Sequence, residues 1–99
     1  MHNEENWQQF LGLCLSTKKT SRLQELFDLF LTIEEKEHLA SRMQIIRALL
    51  DKELSQREIS DKMQVSISQI TRGSNALKAI NNDFLKFIEK YVRKYKNAK

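Results

Sequence analysis

The fold is decided by residues 55–69, which read SQREISDKMQVSISQ. Two capping boxes lie in this stretch, Ser55 with Glu58 and Ser66 with Gln69, and each predicts the start of a helix. The first helix has room for only about two turns, because residues 63–65 must form the turn before the second box. Four apolar residues are spaced to bury a core shared by the two helices: Ile59, Met63, Val65 and Ile70.

Two short capped helices with a shared core form the pattern of a helix-turn-helix, here over residues 55–79. In that motif the second helix lies in the DNA major groove. Ser60 is small where the helices would cross closely. Gln64 departs from the pattern, since a glycine would relax the turn. A helical hairpin inside an ordinary core is the alternative, but the two caps and the basic flanks favour DNA binding.

The remaining chain also predicts helices, so the fold class is all-α. A first helix runs from about Glu4 to about Ser16, and a second opens at Ser21 with Gln24 as capping partner. A third follows Thr32, whose capping partner is Glu35, and a last one begins near Asn82 or Asp83. The third helix is predicted to turn four residues inward: Leu39, Met43, Ile46 and Leu50.

The predicted core helices, over about 4–50 and 82–96, are apolar around much of their circumference. Trp7, Phe10, Leu11 and Cys14 follow helical spacing in the first helix, and Leu13 and Leu15 widen that face. The last helix has a comparable stripe: Phe84, Ile88, Tyr91, Val92 and Tyr95. A domain of this length cannot easily bury so much apolar surface by itself, so the pattern predicts self-association.

Composition fits one helical domain over residues 1–99, with only 2 glycines and no proline. Residues 51–99 hold 11 Lys/Arg against 6 Asp/Glu, and the chain ends in a basic tail over 93–99. This charge suits a polyanion partner. No apolar run reaches the ~18 residues of a membrane span, and the polar residues 1–5 do not resemble a signal peptide. With one cysteine, Cys14, we expect a cytoplasmic protein.

The centre of the second capped helix is unusual because it contains Gly73. A glycine inside a helix costs about 1 kcal/mol relative to alanine. Gly73 is therefore either an incidental weakness or a place where another group approaches the backbone closely. Its neighbour Arg72 could bind a phosphate, an acidic side chain or a small carboxylate. The residues alone do not choose among these ligands.

Other classes of protein explain less of the sequence. Glu34 and His38 have a spacing that can hold a metal, but acidic residues are favoured in a first helical turn in any case. We therefore predict no catalytic residue and no metal site. A ligand-independent helix-turn-helix adaptor is a second alternative, which explains the caps and the charges but leaves Arg72 and Gly73 without a purpose. A purely structural helical protein would not bind DNA with sequence preference.

Residues 70–78, ITRGSNALK, resemble the signature of the tryptophan repressor family. The resemblance extends upstream through residues 55–58 and 29–32 to Ser41 and Arg42, and it covers roughly residues 5–95. It implies a six-helix intertwined homodimer with a helix-turn-helix head. It also implies L-tryptophan as corepressor, no further cofactor, and double-stranded operator DNA of tryptophan biosynthesis or salvage genes as partner.

The resemblance also implies a ligand site. Arg42 and Arg72 would lie on either face of the indole, and Arg72 would also pair with the ligand carboxylate. The carbonyl groups of Leu29 and Leu31 would accept from the ligand ammonium, with Thr32 on the carboxylate side. Gly73 would leave room beside the indole, and Ala76 stands where the family has a serine that binds the ammonium.

For DNA, the resemblance places nine residues on the surface that faces the operator. Arg57 is predicted to contact a guanine edge, whereas Asn75 and Lys78 are predicted to position the protein on the backbone. Ser60 replaces a basic residue expected at a phosphate, and Ile33 replaces a proline after the cap of the third helix. The full predicted set is Gln56, Arg57, Ser60, Ile67, Ser68, Gln69, Thr71, Asn75 and Lys78.

Overall fold

The computed structural model describes residues 3–98 and folds them into six helices. They are α1 (Glu4–Ser16), α2 (Thr20–Phe30), α3 (Ile33–Asp51), α4 (Gln56–Met63), α5 (Ile67–Ala79) and α6 (Asn82–Ala98). No strand occurs in the described part, so the prediction of an all-helical fold is confirmed. Met1 and His2 of the predicted polar N-terminal segment, and Lys99 of the basic tail, lie outside the described residues.

The helices divide into two compact units, Met1–His38 and Leu39–Lys99, and the division falls inside α3. The single domain over residues 1–99 stays a prediction.

An aromatic cluster packs α1 against α2 in the first unit. The ring centroid of Phe10 lies 5.8 Å from that of Trp7, 6.5 Å from that of Phe27 and 5.1 Å from that of Phe30. The Phe10–Phe30 pair is edge-on, an arrangement that aromatic quadrupoles favour. The apolar spacing seen in the sequence therefore places Phe10 in contact with α2.

The start of α3 is as predicted, whereas the start of α2 is not. The Glu35 amide donates to the Thr32 hydroxyl at 3.1 Å, and the Thr32 amide donates to the Glu35 carboxylate at 2.8 Å. The predicted capping box of Ser21 is wrong, because α2 begins at Thr20 and its N-cap, Lys19, has no side-chain cap. Ser21 is already helical and lies two residues past the N-cap, so its hydroxyl is too late to cap the first turn.

The buried face of α3 also differs from the prediction. Ile45 is the buried residue of α3, whereas Leu39 and Met43 are exposed in the single chain. Ile46 and Leu50 are half-buried. The helix is apolar on several sides, so its periodicity could not identify the side that meets the rest of the chain.

The core of the second unit joins α3, α4 and α5. Ile45, Ile59 and Ile70 form its centre, and both Ile59 and Ile70 have no exposed surface. The half-buried residues around them are Ala48, Leu49, Leu54, Met63 and Val65. The predicted core shared by the two capped helices is therefore confirmed, with Ile45 of α3 added to it.

Helix α6 begins after Asn81, whose side-chain oxygen accepts from the Phe84 amide at 2.8 Å. Val92 is buried, and Phe84 and Phe87 stack with ring centroids 5.9 Å apart while remaining exposed. None of the helices within residues 3–98 is both long and apolar enough to cross a membrane.

Candidate nucleic-acid and ligand sites

Helix α4 begins at a complete capping box. The Glu58 amide donates to the Ser55 hydroxyl at 3.1 Å, and the Ser55 amide donates to the Glu58 carboxylate at 2.9 Å. The Ser55 amide, which donates to this carboxylate, is the main cause that holds the pKa of Glu58 below its ordinary value, and the Ser55 hydroxyl adds to it. Both contacts are local, which is why the sequence could predict them.

The turn after α4 is tight and left-handed. Gln64 has φ 55° and ψ 46°, the conformation that glycine adopts with least strain. The Ser60 hydroxyl donates to the Val65 carbonyl at 2.6 Å, and the Val65 amide donates to the Ser60 carbonyl at 3.3 Å. Ser60 therefore closes the turn from both its side chain and its backbone.

Helix α5 begins at the second capping box. The Gln69 amide donates to the Ser66 hydroxyl at 3.2 Å, and the Ser66 amide donates to the Gln69 side-chain oxygen at 3.3 Å. The Ser66 hydroxyl also lies 3.1 Å from that of Ser68. These caps, together with the buried Ile59 and Ile70, fix the direction in which α5 leaves the turn.

The predicted DNA-facing residues lie on the outside of this pair of helices. Ser60 is half-buried and engaged in the turn, and the other eight are exposed: Gln56, Arg57, Ile67, Ser68, Gln69, Thr71, Asn75 and Lys78. Ile67 is an apolar residue with 48% of its surface exposed, at the first position of α5. Within the described side chains, neither Arg57 nor Lys78 forms an ion pair. Their charges are available to an outside partner.

Gly73 marks a close approach of α5 to α3. A β-carbon built on Gly73 would lie 3.1 Å from Cγ2 of Ile45 and 3.4 Å from Cδ1 of Leu49. The mid-helix glycine is therefore not an incidental weakness, since a larger side chain would press against the core. Ile45 is the partner that the sequence analysis missed, because no periodicity links a residue of α3 to one of α5.

The other predicted ligand residues of the second unit are on its surface. Arg42, Arg72 and Ala76 are exposed, and neither arginine has an ion-pair partner among the described residues. Arg72 precedes Gly73, so the approach of α5 to α3 also determines where its backbone sits.

The predicted ligand residues of the first unit lie at the junction of α2 and α3. Leu29 is exposed and Leu31 is half-buried. The Leu31 amide donates to the Phe27 carbonyl at 2.8 Å, which ends α2. Thr32 caps α3. Its amide, and to a smaller extent its hydroxyl, lowers the pKa of Glu35. The sequence predicts this capping role for Thr32, and the family resemblance implies a ligand role in addition.

No group of three His, Cys, Asp or Glu side chains that could hold a metal ion occurs among the residues that the structure describes. Glu34 and His38 are exposed side chains of α3.

The class of protein follows from comparison with known sequences. The fold is a small all-helical one built around two capped helices, and residues 5–92 match a family of transcription repressors rather than of enzymes. The chain belongs to the family described as Trp repressor protein. The resemblance found in residues 70–78 is thereby confirmed.

Individual relatives agree over nearly the whole chain. A Trp operon repressor homolog of Chlamydia trachomatis serovar D is 54% identical over 89 residues, 90% of this chain and 95% of that protein. One of Chlamydia caviae is 52% identical over 95 residues, 96% of this chain and 94% of that protein. One of Mannheimia succiniciproducens is 36% identical over 96 residues, 97% of this chain and 95% of that protein.

Proposed function

We propose that the chain is an L-tryptophan-dependent, sequence-specific DNA-binding repressor of tryptophan biosynthesis or salvage genes, acting in the cytoplasm as a homodimer. The observation that carries this proposal is the exposed face of α4 and α5 above a fully buried pair, Ile59 and Ile70. Membership of the Trp repressor protein family supports the same conclusion.

In this proposal α4 and α5 form a helix-turn-helix, and α5 enters the major groove. The first turns of α5 present Ile67, Ser68 and Thr71, the positions from which recognition helices usually contact bases. Arg57 supplies a guanidinium that can donate two hydrogen bonds to a guanine edge. Asn75 and Lys78, further along α5, are suited to phosphate contacts that position the protein.

We assign L-tryptophan to the exposed arginines Arg42 and Arg72. A guanidinium stacks on an aromatic face and donates to a carboxylate in a fixed geometry, so two of them suit an aromatic amino acid. The contributions of Leu29, Leu31 and Thr32 stay predictions from the resemblance. Ala76 has no hydroxyl, so it offers no hydrogen bond to the ligand ammonium.

The homodimer is supported by apolar surface that the single chain leaves exposed. Its exposed fractions include 78% for Leu29, 64% for Phe87 and 53% for Trp7. Large exposed apolar patches are a mark of interaction surfaces. Sedimentation at micromolar concentration should give twice the chain mass, and a monomer there would contradict the proposed dimer.

The decisive experiment is binding of the full chain to DNA selected from a random library, with and without L-tryptophan. We expect sequence-specific binding that strengthens with L-tryptophan, by a coupling of about 1–3 kcal/mol. Sequence-specific binding with the same affinity in the presence and absence of L-tryptophan would instead identify the chain as a ligand-independent adaptor. Loss of sequence preference altogether would remove the helix-turn-helix assignment.

A further inference from the structure

The second unit contains a groove that is lined by neither Arg42 nor Arg72. It runs between the end of α3, the segment before α4, the end of α4 and the last turns of α6, and its volume is about 430 Å³. Sites for small organic molecules typically occupy about 300–1,000 Å³. The groove is therefore large enough for one.

The floor of the groove is apolar and anchored. Ala48, Leu54 and Met63 line it and also pack on the core of Ile45, Ile59 and Ile70. Val92 of α6, which is 7% exposed, closes the floor from the other side. An apolar surface supported in this way is preformed, so a ligand would not have to order it.

One wall of the groove is an ion-paired cluster. Lys96 Nζ lies 2.7 Å from Asp51 Oδ1 and 3.2 Å from Glu53 Oε1, tying the end of α6 to the end of α3 and the following segment. The hydrogen bond that Lys96 donates to Asp51, followed by the one that it donates to Glu53, raises the pKa of Lys96. One cation against two carboxylates leaves this cluster with a net charge of −1.

Two further cations line the groove, and neither is paired with the carboxylates of this cluster. Arg47 is half-buried and Lys62 is exposed, and neither forms an ion pair within the described side chains. With them the charged side chains that line the groove, three cations and two carboxylates, sum to +1 beside the apolar floor. Asp51 and Glu53 both accept from Lys96, so the remaining charged groups of the groove, Arg47 and Lys62, favour a ligand carboxylate over an ammonium.

We propose that this groove is a second small-molecule site, which takes an aromatic carboxylate without an ammonium group. The ring would lie on Met63 and Val92, since a thioether makes favourable contacts with aromatic rings. The carboxylate would accept hydrogen bonds from Arg47 and Lys62. This ligand differs from the amino acid assigned to Arg42 and Arg72, which carries an ammonium group.

The test uses 2-naphthoate as the probe and the ¹⁵N-labelled full chain in solution. We expect saturable binding, with amide shifts centred on residues 47–54, 62–63 and 92–96. The neutral 2-naphthamide should bind at least about tenfold more weakly, because it lacks the charge that Arg47 and Lys62 recognise. This comparison needs no variant and holds whether or not the variants fold.

Variants then identify the cations. Arg47→Gln combined with Lys62→Gln should weaken 2-naphthoate binding about tenfold or more. The matched control, Lys86→Gln with Lys90→Gln on exposed positions of α6, removes the same charge and should leave affinity unchanged. Arg72→Ala should also bind the probe normally, so failure of this site is separable from failure of the L-tryptophan site.

Several results would overturn the proposal. One is equal binding of 2-naphthoate and 2-naphthamide, and another is shifts centred on Arg42 and Arg72. Unchanged affinity in the folded Arg47→Gln/Lys62→Gln variant would do the same. Probe affinity that falls as the protein dimerises would mean that a second copy of the chain occupies the groove instead.

Discussion

Gly73 of α5 packs so closely on Ile45 of α3 that a β-carbon at position 73 would lie 3.1 Å from Cγ2 of Ile45. Non-bonded carbons pack best at about 3.5–4.0 Å. The glycine therefore lets α5 approach α3, and this approach sets the position of the preceding residue, Arg72. The absence of a side chain at Gly73 therefore connects the packing of the core to the position of Arg72, which we assign to L-tryptophan.

Replacing Gly73 by alanine tests that relationship. The substitution adds helix propensity worth about 1 kcal/mol, but overpacking against Ile45 costs about 1–3 kcal/mol. We expect a net loss of about 1 kcal/mol in the free energy of unfolding, measured in urea. Gly12 of α1 is the matched control, since a β-carbon there meets nothing within 4 Å. Gly12→Ala should stabilise, and equal stabilisation by Gly73→Ala would refute the close contact.

The capping serines Ser55 and Ser66 should contribute to the free energy of unfolding, whereas Ser21 should not. Ser55→Ala and Ser66→Ala each remove an acceptor for a backbone amide, and each should lower the free energy of unfolding by about 1 kcal/mol. Ser21→Ala removes no cap and should change it by less than about 0.5 kcal/mol. Urea unfolding of the three variants measures this. A cost at Ser21 equal to that at Ser55 would contradict the observed start of α2.

Acid should weaken the start of α4. The folded-state pKa of Glu58 is lowered, so its ionised form contributes stability above the ordinary pKa of 4.5. That contribution is lost as the pH falls from 4.5 through the lower folded value. Glu58→Gln keeps a capping acceptor but cannot titrate, and it should narrow the difference in urea midpoint between neutral and acidic solution. An unchanged pH dependence in Glu58→Gln would place the acid sensitivity elsewhere.

Arg57 and Lys78 should affect DNA binding differently. We expect Arg57→Ala to lower specific binding by about 1–3 kcal/mol, the worth of a bidentate base contact. Lys78→Ala should weaken all sequences about equally and reduce the salt slope by about one. Titrations of selected and scrambled DNA at several salt concentrations separate the two effects. Intact sequence preference in Arg57→Ala would show that the base-contacting surface is misassigned.

Arg72 and Ala76 test the L-tryptophan site from opposite directions. Arg72→Ala should abolish the response to L-tryptophan without unfolding the chain, because the exposed side chain makes no core contact. Ala76→Ser should strengthen L-tryptophan binding by about 0.5–1.5 kcal/mol, the net worth of one hydrogen bond. Calorimetry on both variants measures the affinities. An Arg72→Ala chain that binds L-tryptophan like the parent would disprove the site.

The features that the sequence determined by itself are local ones. The boxes at Ser55 and Ser66, and the cap at Thr32, join residues three positions apart, so any chain with these residues can form them. The position of the turn at residues 63–65 also follows from the sequence, because little chain is left between the two boxes, and Gln64 adopts there a left-handed conformation that a glycine would adopt with less strain. The capping pattern was misleading at Ser21, because α2 begins at Thr20, before the serine.

Only the tertiary structure decided which helix faces meet. It chose Ile45 rather than Leu39 or Met43 as the buried residue of α3, placed Ile45 against Gly73, and joined Lys96 to Asp51. A helix that is apolar on several sides gives no preferred direction, and opposite charges far apart in sequence have many equivalent partners. Packing selects one arrangement because residues distant in the chain must fill the same space at near-crystalline density.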